Sequence, residues 1–98
     1  MSSDAVSIAP DVYSVVFENE RVRVLDVRAA PGSGSPMHGH PDSVMYAVNA
    51  AEILVTTPDG EEHRVEVPVG ATFWNPATEH AVRNLGSMPV HFIRIELK

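Results

Sequence analysis

The stretch Met37-His38-Gly39-His40-Pro41-Asp42-Ser43 places two histidines two residues apart, just ahead of an apolar run from Val44 to Val48. In an extended strand, side chains at i and i+2 point to the same face. His38 and His40 therefore aim both imidazoles into one space. Neutral imidazole is the commonest protein metal ligand, and two that converge make half of a site. The alternative is a pair of exposed loop histidines. The chain has no cysteine, so any metal here must be held by nitrogen and oxygen. Of the other three histidines, His63 follows an Asp-Gly turn among Glu61, Glu62 and Arg64 and reads as solvated. His91 shares strand parity with Ile93, Ile95 and Leu97, which puts it on an apolar face, as a core histidine bonded to a neighbour or as a pocket wall. His80 lies on a late strand, and spacing alone does not say whether it meets His38 and His40.

The elements that must carry these residues are nearly all strands. Asp11–Phe17 is rich in β-branched and aromatic residues. Arg21–Ala30 alternates, with Val22 and Val24 on one face, and then slips parity at Leu25 and Val27; a bulge or burial on both faces explains that. Pro31-Gly32-Ser33-Gly34-Ser35-Pro36 is the one stretch rich in breakers and reads as a loop, since too little chain precedes it for a second core. Val44–Asn49 and Glu52–Thr57 read as paired strands. Pro58-Asp59-Gly60 is a hairpin signal leading into His63–Val67. Ala71–Trp74, His80–Leu85 and Pro89–Leu97 complete about eight short strands, with no helix longer than a turn. The expectation is an all-β antiparallel sandwich or barrel.

At 98 residues the chain is expected to form one domain, with its core over about 11–97 and residues 1–10 as an N-terminal extension. The net charge is −6, and the seven Lys and Arg are scattered, which argues against nucleic acid and anionic membranes as partners. No apolar run is long enough for a transmembrane helix. Met1-Ser2-Ser3-Asp4 lacks the basic start and apolar core of a signal peptide. With no cysteine either, a cytoplasmic setting is expected.

Two spaced patterns resemble the paired motifs of the cupin superfamily. Gly32, five residues, then His38-Gly39-His40 is similar to the start of the first motif. Gly70, five residues, Pro76, then His80 and three residues to Asn84 is similar to the second. The resemblance spans more than half of the chain. It implies a small double-stranded β-helix, the cupin jelly-roll barrel, with one divalent metal ion (Fe, Zn, Ni or Mn) bound by His38, His40 and His80. Gly32 and Gly70 open turns that call for positive φ, and Asn84 bonds a turn backbone. Where the first motif usually carries a glutamate, this chain has Val44. Its closing glycine is replaced by Ala51. The second motif is one residue shorter between Pro76 and His80, with Thr78 in place of its glycine.

A three-histidine set without a carboxylate leaves the ion's charge uncompensated and leaves positions open for water or substrate. Asp42 shares parity with His40, but Pro41 breaks the strand beside it, so it reads as a turn-capping residue rather than a ligand. Glu79 points away from His80. Tyr46 shares the parity of Val44 and the histidines and is a candidate pocket wall. Some cupins of this pattern are three-histidine iron dioxygenases acting on thiols or diketones. The resemblance thus implies a metal-dependent enzyme, such as an Fe(II) dioxygenase or an isomerase working by enolisation, on a small organic substrate. The alternative is a non-catalytic module that captures a small ligand or metal. Val12–Phe17 is expected to pair with a second subunit in a homodimer with a shared sheet.

Overall fold

The computed structural model describes residues 4–98, so the reading of Met1–Ser3 lies outside the described residues. A single helical turn, α1 (Ala5–Ile8), is followed by nine strands among the described residues. They are β1 (Tyr13–Glu18), β2 (Val22–Ala29), β3 (Gly34–His40), β4 (Ser43–Ala47) and β5 (Ala51–Thr56). β6 (Glu62–Val67), β7 (Thr72–Asn75), β8 (Thr78–Asn84) and β9 (Val90–Leu97) follow. They form two antiparallel sheets, ordered β1-β2-β9-β4-β7 and β3-β8-β5-β6. This is an all-β double-stranded β-helix. The helix among the described residues is too short to cross a membrane.

Between the sheets lies an apolar core that includes Leu25, Val27, Met45, Ala47, Ile53, Val67, Val90 and Phe92. Ala5 and Ala9 are buried in the same cluster. The core therefore reaches into the stretch expected to be an extension, because two small side chains let the N-terminal turn lie close against the barrel. Asp4 caps that turn by accepting from the Ser7 backbone N–H.

The strand reading needs three corrections. First, the breaker-rich segment is half strand: β3 starts at Gly34. It pairs with β8 in spite of its composition because Gly34 lies where a Cβ would sit 1.9 Å from the Val82 carbonyl oxygen. Only glycine lets the two backbones approach this closely. Second, β4 and β5 are not partners. β4 pairs with β7 and β9, while β5 pairs with β6 and β8, so the chain crosses between sheets at Val48–Ala50. Third, the inward face of β9 is Val90, Phe92, Arg94 and Glu96, not His91, Ile93, Ile95 and Leu97. The more apolar row is on the outside. There Phe17, Val24, Ile95, Val44 and Trp74 stand opposite one another in a single row across all five strands.

Other expectations hold. β5 and β6 form the hairpin around Asp59-Gly60. Gly32 and Gly70 have φ of 79° and 80°, in the left-handed region. Except at Arg28, β2 is buried or half-buried on both faces, and the bulge opposite its parity slip belongs to β1, between Val15 and Phe17.

Candidate metal centre

β3 and β8 are antiparallel neighbours, and their register sets His38 directly opposite His80. A bulge between Ser35 and His38 makes this possible: three steps along β3 match two along β8, from Val82 to His80. The extra residue reverses the alternation of β3, so that Ser35, His38 and His40 are all buried while Pro36 and Met37 are exposed. Proline suits that position, since it has no N–H to donate to a ladder. The bulge also turns the Pro36 carbonyl toward the His38 ring.

The rings meet closely. His38 and His80 have centroids 4.8 Å apart, His38 and His40 4.8 Å, and His40 and His80 5.4 Å. One ligand nitrogen from each of the three lies within 4.8 Å of the others. His38 Nδ1 donates to the Pro36 carbonyl at 2.7 Å, and His40 Nδ1 donates to Glu96 Oε2 at 2.6 Å. A carbonyl and a carboxylate only accept, so both rings carry their proton on Nδ1 and present a bare Nε2. Those two Nε2 atoms are 3.1 Å apart. Nitrogens ~2.0–2.1 Å from one ion, at 90–109° to each other, stand about 2.9–3.4 Å apart. His80 Nε2 is buried with no hydrogen-bond partner. The donor set therefore fits a divalent cation.

Burial keeps all three rings neutral. It lowers the His38 pKa to about 4 and that of His80 to about 3. It also lowers His40, against the opposing bond from Glu96. Burial would raise the Glu96 carboxyl, but the bonds from His40 and Arg23 outweigh it and hold the group below the usual range. Glu96 Oε1 accepts from Arg23 Nε at 2.9 Å and Nη2 at 2.7 Å, and Arg23 also pairs with Asp4. A part-buried chain of charges thus runs from Glu96, behind a candidate ligand, to the N-terminal turn. A carboxylate behind a ligating imidazole fixes its tautomer and raises its basicity.

Three residues near the centre escaped the sequence reading. Tyr13, buried at the start of β1, places its hydroxyl 2.9 Å from His38 Nε2. Burial raises the Tyr13 pKa, so it remains a neutral phenol that donates to that bare nitrogen. Glu96 and Arg94 sit on the inner face of β9. The signal available was parity: both alternate with Val90 and Phe92.

The remaining candidates separate cleanly. Asp42 is exposed and accepts from the Ala77 backbone N–H at 2.8 Å, tying the turn before β4 to the turn before β8. Glu79 is exposed. Tyr46 is a correction: it is 45% exposed on the outer face. The turn at Pro41–Asp42 reverses the alternation, so Ser43, Met45 and Ala47 face inward in its place. His91 sits on the outer face of β9 and bonds Asp26 Oδ1 at 2.7 Å. Asn84 is buried and bonds the carbonyls of Ala29 and Met88. An interior cavity of ≈ 210 Å³ adjoins His80, walled mainly by valines with Ile53, Phe73 and Phe92. It is also lined by Tyr13, Asn75 and Arg94.

A family model described as a cupin domain matches residues 25–96. The chain is 35% identical over 89 residues to the β-alanine degradation protein BauB of Pseudomonas aeruginosa, covering 89% of this chain and 93% of that one. Among solved structures it is similar to a cupin domain from Bordetella pertussis, with a TM-score of 0.82 and 30% identity over 89% of this chain and 92% of the other. An RmlC-like cupin with a double-stranded β-helix fold from Methanocaldococcus jannaschii matches at a TM-score of 0.71 and 18% identity, over 88% of this chain and 78% of the other. The last likeness speaks to the fold alone, but the family model and the first two relatives go further: this chain belongs to the cupin family.

Proposed function

We propose that the protein holds one divalent metal ion on His38, His40 and His80 and uses it as an Fe(II) dioxygenase on a small organic substrate. The observation that carries this reading is the facing pair of bare Nε2 atoms at 3.1 Å beside the orphaned Nε2 of His80. A ferrous ion held this way would supply Lewis acidity, a redox couple and open coordination positions. The chain's own residues supply the rest. Glu96 and the Pro36 carbonyl hold the two β3 rings in the ligating tautomer. The apolar cavity excludes water around a small molecule, and Tyr13 offers a neutral hydroxyl at its edge. The name of BauB, a protein of β-alanine degradation, supports a substrate of that size. A cytoplasmic setting, read from the absence of cysteine, belongs to the same proposal.

A second reading is a non-catalytic module that captures a small ligand or the metal itself. It is favoured by one observation: no carboxylate lines the cavity among the described residues, and both oxygens of Glu96 are already engaged. Elemental analysis of the purified protein, followed by oxygen uptake with thiol and diketone substrates, separates the two. Iron with uptake that His80→Ala abolishes supports the enzyme. Zinc or nickel with no uptake supports the module.

The same reading extends to assembly, in which we propose a homodimer. β1 is an edge strand whose Val15, Val16 and Phe17 are exposed, and the apolar row from Phe17 to Trp74 continues across the outer face. An edge strand of this kind invites pairing with a second copy.

A further inference from the structure

Arg94 enters the interior from β9 between Phe92 and Glu96 and is only 6% exposed. A buried guanidinium is normally matched by a carboxylate. This one is not: its hydrogen-bond partners are the Ser43 hydroxyl at 2.8 Å, the Asn75 side-chain oxygen at 3.2 Å and the Met45 sulfur at 3.7 Å. The two oxygen acceptors both bond Nη1. Nη2 has only the thioether, a weak acceptor on a flexible chain. Nε is buried with no partner. The one buried carboxylate among the described residues, Glu96, has committed both oxygens to His40 and Arg23.

The Nε–H and Nη2–H groups lie along one edge of the guanidinium plane. That edge is the one a carboxylate engages through two parallel hydrogen bonds. Arg94 lines the same cavity as His80 and Tyr13. The other walls include Val27, Ile53, Val65 and Phe92, which suit a short hydrocarbon chain.

We infer that Arg94 is an anion receptor, and that the cavity takes a small aliphatic carboxylic acid whose carboxylate docks on the Nε/Nη2 edge in place of the Met45 sulfur. This deepens the reading of a small substrate at the three-histidine centre and rests on it. The acid's hydrocarbon chain lies against the valine and isoleucine walls, and its far end reaches toward His80. A ligand with a second donor atom at that end spans the guanidinium and the metal position. A dication on the histidines adds positive charge near Arg94 and strengthens the demand for an anion.

The test uses metal-free protein, prepared with a chelator, so that carboxylate binding to an ion plays no part. Butanoate and its neutral isostere butanamide are titrated by calorimetry and by melting temperature at pH 7.5, with chloride as the counter-ion control. Butanoate is expected to bind and to raise the melting temperature, and butanamide to bind at least about tenfold more weakly. Arg94→Met is expected to abolish the preference. Arg94→Lys, which keeps the charge but loses the fork, is expected to weaken butanoate about tenfold. Equal binding of the two probes by the unaltered protein overturns the assignment without need of a variant. So does a preference that survives in Arg94→Met, or a shift that chloride alone reproduces. Zinc binding without any ligand is measured in parallel. Zinc bound with no butanoate preference overturns the anion receptor and leaves the metal centre standing; the reverse pattern leaves the receptor and overturns the centre.

Discussion

Two unprotonated ring nitrogens held 3.1 Å apart point lone pairs at each other, and only a cation or a hydrogen-bond donor relieves that opposition. In the structure the Tyr13 hydroxyl relieves one of them. A metal on His38 would take over the lone pair that Tyr13 bonds here. His80→Ala should reduce zinc or iron occupancy from one ion per chain to near zero, read by elemental analysis after dialysis. Glu96→Gln leaves all three ligands in place but removes the charge that orients His40 and pairs with Arg23. Metal affinity is expected to fall about 10–100-fold, measured by competition with a chromogenic chelator. The metal-free protein should also lose stability in acid. His38 and His80 titrate near 4 and 3 when folded and near 6.5 when unfolded, so between those values the unfolded chain binds more protons. Their contribution is complete above pH ~6.5 and drains away as pH falls toward 4. For His38 alone this is on the order of 3 kcal/mol. Chemical denaturation at pH 7 and pH 4.5 measures it; equal stability at the two values would contradict the depressed pKa values.

At the scale of the element, the bulge in β3 decides where the chemistry is. Were the same three steps from Ser35 to His38 paired regularly, with no bulge, the two would face opposite sides of the sheet, and the histidine pair would point to solvent. Deleting Met37 takes out the extra residue and leaves two steps against two, so both histidines should stay inward and metal binding should survive, read by elemental analysis after dialysis. Gly34 guards the same strand. Gly34→Ala forces a Cβ to within 1.9 Å of the Val82 oxygen and should unfold the barrel or shift the register of β3 on β8. Gly86→Ala, where the nearest atom lies at 3.4 Å, is expected to cost far less in melting temperature. The histidine spacing and the flanking Gly and Pro residues were legible in the sequence because they are local. Which face of β4 and β9 turns inward was not. Tyr46 and His91 were assigned by counting parity from neighbours, and the Pro41–Asp42 turn reverses that count for Tyr46. For β9, the most apolar parity was the outer one, since both faces of this sheet carry large apolar side chains. Sequence marks an apolar face, but a face covered from outside looks the same as one covered from within.

For the whole molecule, that outer face sets the expected assembly. Phe17 and Trp74, each more than half exposed, stand at opposite ends of the apolar row, with Val24, Ile95 and Val44 between. Light scattering is expected to give the mass of a dimer. Phe17→Glu should shift it to a monomer with its metal site intact, because Phe17 touches the outside of the sheet and the histidines lie within. The all-β architecture was readable from turn signals and the short spacing of the strands. The way the N-terminal turn joins the barrel was not, because it depends on two alanines and on an ion pair between residues far apart in the chain.

That ion pair reaches further than its position suggests. Asp4 holds Arg23, Arg23 holds Glu96, and Glu96 holds His40. Linkage between sites is reciprocal, so whatever loosens the first turn must weaken the grip on the cation, and a captured cation must in return quieten the first turn. Amide hydrogen exchange at Ile8 and Ala9, whose N–H groups bond the carbonyls of Asp4 and Ala5, should slow on loading with zinc. A bulky tag fused ahead of Asp4 should then make the protein a poorer metal binder without touching a single ligand.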